Sequence, residues 1–144
     1  SIFKDYTTNI IKNAKALSKT FINNGVKVIS GGTDNHLMLI DVKSSFGITG
    51  KEAETIFCYA SMENEVDTWP LIALALDQGK TVGSGLRIGT PAMTTRGFTT
   101  EDFEEVGIII IEALRNKDNE EVLDNLRKQV LRLTSSHPLY RKGV

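Results

Sequence analysis

The sequence predicts an α/β fold, a small layered domain whose short, partly antiparallel sheet is covered by four or five helices. Three observations carry the prediction. Apolar residues recur at helical steps over several long stretches, and two short apolar runs are separated by a glycine-bearing turn. The length of 144 residues suffices for one core but not for two ordinary ones, so residues 1–144 are expected to form a single domain.

Phe3, Tyr6, Ile10, Ala14, Leu17 and Phe21 recur at three- and four-residue steps and predict an amphipathic helix over 2–23. Asn23-Asn24-Gly25 supplies its stop, because Gly25 can take the left-handed conformation. Val26 to Ile29 reads as a short strand, Ser30 to Asn35 as a turn, and His36 to Val42 as a continuous apolar strand buried on both faces. Two strands joined this tightly are expected to pair antiparallel. Thr49-Gly50-Lys51-Glu52 has the spacing of a capping box and opens a helix over 50–61 that should bury Ala53, Ile56, Phe57 and Ala60. A further helix is predicted over 70–77, from the apolar run Leu71 to Leu76 and the turn residues Asp77-Gln78-Gly79-Lys80.

Beyond a glycine-rich stretch, Thr99 is an N-cap with Glu101 and Asp102 in the first turn, where the helix dipole favours acids. This helix should run to about 115–116 and lie deep in the core, since Gly107 to Ile111 is apolar nearly all round. Asp118 and Glu121 repeat the capping-box spacing, and Val122, Leu126, Val130 and Leu133 mark one face of a last helix. Ser135-Ser136-His137-Pro138 ends it, and the tail from Arg141 to Val144 is expected to be loose.

Bulk properties exclude several functions. A net charge of −1 with 24% charged residues gives no bias toward nucleic acid or anionic membranes, and the longest strongly apolar run is too short to span a bilayer. The single cysteine, Cys58, cannot form an intrachain disulfide, which suits a reducing, cytoplasmic compartment. Cys58 itself reads as a small buried apolar residue rather than a nucleophile. Because Ser1 opens the chain without methionine on a stretch already helical in pattern, the N-terminus is expected to be cut from something longer.

Chemistry concentrates between Gly83 and Phe98, where four glycines, one proline and two arginines form the run GSGLRIGTPAMTTRGF. Leu86 and Ile88 flank Arg87, so a strand here turns both apolar side chains to one face and the guanidinium to the other. An arginine fixed that way suits a carboxylate or phosphate, although the residues by themselves favour an arginine that is solvated or paired with a nearby acid. Gly83, Gly85 and Gly89 are read as backbone geometry, and Arg96 as a structural pair. His36 is read as hydrogen-bonded to turn backbone, and neither it nor His137 is assigned to chemistry. No metal site is expected.

The run S-G-L-R-I-G-T-P-A-M-T-T-R-G-F resembles the signature near the C-terminus of serine hydroxymethyltransferases, fold-type-I enzymes dependent on pyridoxal phosphate. Val28-Ile29-Ser30-Gly31-Gly32-Thr33-Asp34-Asn35-His36-Leu37 and Gly47-Ile48-Thr49-Gly50-Lys51-Glu52-Ala53-Glu54 agree in the right order. Asn13-Ala14-Lys15-Ala16-Leu17 and Pro138-Leu139-Tyr140 are similar as well. The resemblance implies the C-terminal small domain of an enzyme that interconverts serine and glycine, passing a one-carbon unit to or from tetrahydrofolate. It places Arg87 at the substrate carboxylate. It also implies partners: an amino-acid substrate, the preceding large domain, and a dimeric or tetrameric parent.

The family's lysine-bearing T-T-T-H-K pattern does not occur here, so the resemblance implies no catalytic residue in this stretch and no catalysis by it alone. The family's V-N-K-N-[ST]-[IV]-P run is also altered. Aligning Thr68-Trp69-Pro70 on its end puts Glu65, Val66 and Asp67 at N-K-N, with Asp67 at the folate-contacting asparagine. An ionised aspartate only accepts hydrogen bonds, which leaves folate contact at Asp67 doubtful. Two alternatives stand beside the leading reading: a folate-independent pyridoxal-phosphate aldolase or transaldolase of β-hydroxy amino acids, and a non-catalytic interaction domain.

Overall fold

The computed structural model describes residues 2–59, 83 and 85–138. Helix α1 (Ile2–Asn23) has the predicted bounds, but its core face begins only at Asn13 and Ala14 and continues through Leu17, Ser18 and Phe21. Phe3, on the same stripe, is 75% exposed because the first turns project past the core. The helix ends as its residues dictate: Gly25 takes φ +78°, its N–H bonds to the Ile22 carbonyl, and the Val26 N–H reaches the Phe21 carbonyl. This is the double closure of a Schellman turn, and it delivers Val26 into the core beside Phe21.

Residues 26–29 do not form the expected strand. Val28 makes one isolated antiparallel bridge to Ile40, after which a 3₁₀ turn, Ile29–Gly31, carries the chain away. Ser30 and Gly31 both take positive φ there, which ends pairing before a second bridge forms. Strand β1 (Leu37–Asp41) instead pairs antiparallel with β2 (Gly85–Gly89), in the register Leu37–Gly89, Leu39–Arg87 and Asp41–Gly85. The predicted burial of both faces of this strand is corrected too: Met38 and Ile40 are buried, whereas Leu39 is 40% exposed.

Nor does the strand continue through Val42. Asp41 caps a short helix, α2 (Val42–Phe46), accepting from the Ser44 N–H at 2.9 Å and the Ser44 hydroxyl at 2.6 Å. Helix α3 (Gly50–Tyr59) comes next with the predicted capping box, in which Glu52 accepts from the Thr49 N–H at 2.7 Å and donates its own N–H to Thr49 Oγ1. Ala53 is fully buried and Ile56 partly so. The Phe57 side chain, Ala60, the predicted 70–77 helix and the tail lie outside the described residues.

After β2 come α4 (Pro91–Thr95), α5 (Thr100–Arg115) and α6 (Glu120–Ser136). Thr99 and Asp102 complete the capping box of α5, which buries Phe103, Val106, Ile109, Ile110, Ile111 and Leu114 and leaves Ile108 43% exposed. The cap of α6 is Asn119 rather than Asp118: Asn119 accepts from Val122, while Asp118 is paired with Lys117. Among the described residues the sheet has two strands, which lay Met38, Ile40, Leu86 and Ile88 on a core shared with α1 and α5, and α6 packs against α5. No helix among the described residues is long and apolar enough to cross a membrane.

Candidate functional site

The geometry of β2 comes from its alternation. Leu86 and Ile88 are each 1% exposed on the core side, so Arg87 between them is placed on the open face. It borders an open groove of about 600 Å³, walled by loop 29–35 and by Leu37, Met38 and Leu39 of β1. Loop 29–35 is braced by its own polar side chains. Asn35 Oδ1 accepts from the Leu37 N–H at 2.8 Å, and Thr33 Oγ1 donates to the Leu37 carbonyl. These bonds fill the role expected of His36, whose exposed side chain does not line the groove and whose carbonyl instead accepts from Thr90 N–H.

A cationic fork on a rigid strand, facing a groove with polar walls, can hold a carboxylate through two parallel hydrogen bonds. The segment after β2 makes the strand rigid. Thr90 is fully buried and donates to the Ile10 carbonyl at 3.0 Å, tying the strand's end to α1. Asn13, 3% exposed, donates to Thr94 Oγ1 at 2.9 Å and to the Phe98 carbonyl at 3.1 Å, and Tyr6 meets Thr95 at 2.7 Å. This polar seam was missed in the sequence. Its signal is an asparagine and two threonines set among apolar residues at positions that prove to be buried.

Arg96 is structural, as expected, but its partners are backbone. Nε donates to the His137 carbonyl at 2.8 Å and an Nη to the Thr134 carbonyl at 3.1 Å, so the guanidinium caps the C-terminus of α6. Burial lowers its pKa. His137, expected only to help end the helix, pairs with Asp102 at 3.1 Å and lies 4.5 Å from the Phe98 ring. Asp102 also accepts from Thr99 N–H at 2.7 Å, so one carboxylate joins the start of α5 to the end of α6.

The sites of Asp67 and of Glu65 and Val66 lie outside the described residues, as does Ser84. Among the described residues no group of three histidine, cysteine or acidic side chains converges as a metal site would require. The family model described as "Serine hydroxymethyltransferase" matches residues 1–110, a span that takes in α1, both strands, loop 29–35 and Arg87, and ends within α5.

Proposed function

The chain belongs to the serine hydroxymethyltransferase family, and from that premise we propose that it is the C-terminal small domain of an enzyme interconverting serine and glycine. In that reading a one-carbon unit passes to or from tetrahydrofolate, with pyridoxal phosphate as cofactor. Arg87 receives the carboxylate of the amino acid. The observation that carries this role is its place on the open face of β2, at the edge of the groove and between two core-facing residues that fix the strand.

The groove does not fit pyridoxal phosphate itself, which needs a lysine for covalent attachment. Among the described residues none lines the groove. The cofactor, which draws electrons from the amino-acid α-carbon when bound, is accordingly assigned to a preceding large domain, and this chain alone is not expected to catalyse. Its contribution is binding and orientation. The parent is expected to be a homodimer or homotetramer.

The test is amino-acid affinity in the full-length enzyme. Arg87→Ala should raise the Kd of glycine and serine roughly a hundredfold, the loss of a charge-assisted bidentate pair. Arg87→Lys should recover only part of it, because an ammonium lacks the planar fork. Visible absorbance of the retained cofactor should be the same in all three proteins. Unchanged amino-acid affinity in Arg87→Ala would remove the residue from the site.

The Glu65-Val66-Asp67 stretch favours a second reading, a folate-independent aldolase of β-hydroxy amino acids with the same carboxylate arginine. Serine turnover that proceeds without tetrahydrofolate would select it. Strict dependence on tetrahydrofolate would reject it and make Asp67 a tolerated change.

A further inference from the structure

Gly85 and Gly89 bracket Arg87 on the open face of β2, and neither has a positive φ, so backbone freedom does not account for them. Space does. A β-carbon on Gly85 would lie 3.0 Å from Leu39 Cδ1, and one on Gly89 2.9 Å from Leu37 Cδ2. Both distances are well inside the ~3.5–4.0 Å at which carbon atoms rest against one another. Each leucine therefore lies across a glycine.

For Leu39 the consequence reaches the site, because Leu39 is the cross-strand partner of Arg87. Directly opposed side chains start only about 4.5–5.5 Å apart and compete for the same space over the sheet. The absent β-carbon at Gly85 leaves Leu39 a slot on the side away from its partner. At 40% exposure, Leu39 has room to swing out of that slot without disturbing the core. The face it would move across is the one it shares with Arg87.

We propose that Leu39 is a positioning residue for Arg87: seated over Gly85, it lets the guanidinium meet a ligand carboxylate in plane, and displaced from Gly85 it crowds that approach. The proposal rests on the reading of Arg87 as the carboxylate-binding residue. Two parallel N–H···O bonds require a coplanar fork, so crowding from one side weakens a bidentate contact more than it would a point charge.

The experiment measures glycine and serine Kd by calorimetry in the full-length enzyme carrying Gly85→Ala, Leu39→Ala, both together, or Arg87→Ala. Gly85→Ala should weaken both amino acids about tenfold, a loss of ~1.4 kcal/mol. Adding Leu39→Ala should restore affinity to within about threefold of wild type, because it removes the displaced group. Wild-type affinity in Gly85→Ala overturns the proposal. So does a loss that Leu39→Ala leaves in place, which would move the cause to the β2 backbone, since the Gly85 carbonyl also abuts Gly50. If Gly85→Ala does not fold, Leu39→Phe replaces it: a ring too large for the slot should weaken binding, and unchanged affinity overturns the proposal. A loss in Arg87→Ala without one in Gly85→Ala sinks this proposal alone, whereas no loss in Arg87→Ala sinks the carboxylate reading and this with it.

Discussion

Asp41 ends β1, caps α2 and pairs with Lys27 at 3.3 Å, all through one carboxylate. The Ser44 hydroxyl and N–H, with Lys27 adding to them, pull its pKa from 3.8 to about 2. A carboxyl held lower in the folded chain than in the unfolded one stabilises the fold above its unfolded pKa, and that contribution disappears as pH falls through the folded value. The wild-type melting temperature should therefore fall as pH drops from about 4 to about 2, and Asp41→Asn should flatten that limb. Parallel melting curves for the two proteins across this window would show that the carboxylate charge is not what matters. Arg96 gives a second single-residue test. Its fork reaches the carbonyls of Thr134 and His137 together, so Arg96→Lys should lose one bond and cost roughly 1–2 kcal/mol in urea unfolding. Hydrogen exchange should locate the loss at the last turn of α6, and unchanged protection there would contradict the capping role.

At the scale of elements, α1 and α5 cross closely. A β-carbon on Gly107 would lie 2.8 Å from Thr20 Cγ2 and 3.2 Å from Leu17 Cδ1, so glycine is there for contact between helices, against its own low helix propensity. Gly107→Val should destabilise by roughly 1–3 kcal/mol through overpacking. Thr20→Ser, which removes the obstructing methyl, should recover part of that in the double variant; strict additivity of the two changes would refute direct contact. The seam between α1 and α4 depends on Asn13. Asn13→Ala strands Thr94 and the Phe98 carbonyl and should cost roughly 1–3 kcal/mol. Asn13→Asp should be worse, because an ionised carboxylate faces a carbonyl to which it cannot donate. Features governed by a few neighbouring residues were legible in the sequence: the stop at Gly25, the caps at Thr49 and Thr99, and the alternation that places Arg87 opposite Leu86 and Ile88. Features that need a distant partner were not. The chain from Leu37 to Asp41 reads equally well against residues 26–29 or 85–89, and the positive φ values at Ser30 and Gly31 decide it only once the turn is built. Val42 reads as strand until Asp41 is recognised as a cap, and the slot over Gly85 exists only in the register that sets Leu39 against Arg87.

For the whole molecule, the question is what α6 contributes, since the family match ends at residue 110. Its Val130, Leu133 and Thr134 close over Met93, Phe98, Val106 and Ile109, and its end is fastened by Arg96 to the segment after β2 and by His137 to Asp102. Arg132 also pairs with Glu105 of α5. Leu123, Leu126, Val130 and Leu133 are all buried; at ~1.5–3 kcal/mol each, their burial contributes on the order of 6–12 kcal/mol as an upper bound. That is comparable to the entire stability of an ordinary domain, ~5–15 kcal/mol. A chain ending at residue 118 should therefore lose cooperative unfolding, bind a hydrophobic dye through the uncovered Phe98 and Ile109 surface, and release α4 from its anchor. Because α4 directly succeeds the strand that carries Arg87, site geometry should be lost together with stability. A truncated chain that still melts cooperatively at the wild-type midpoint would instead show α6 to be an accessory laid on a core already complete at α5.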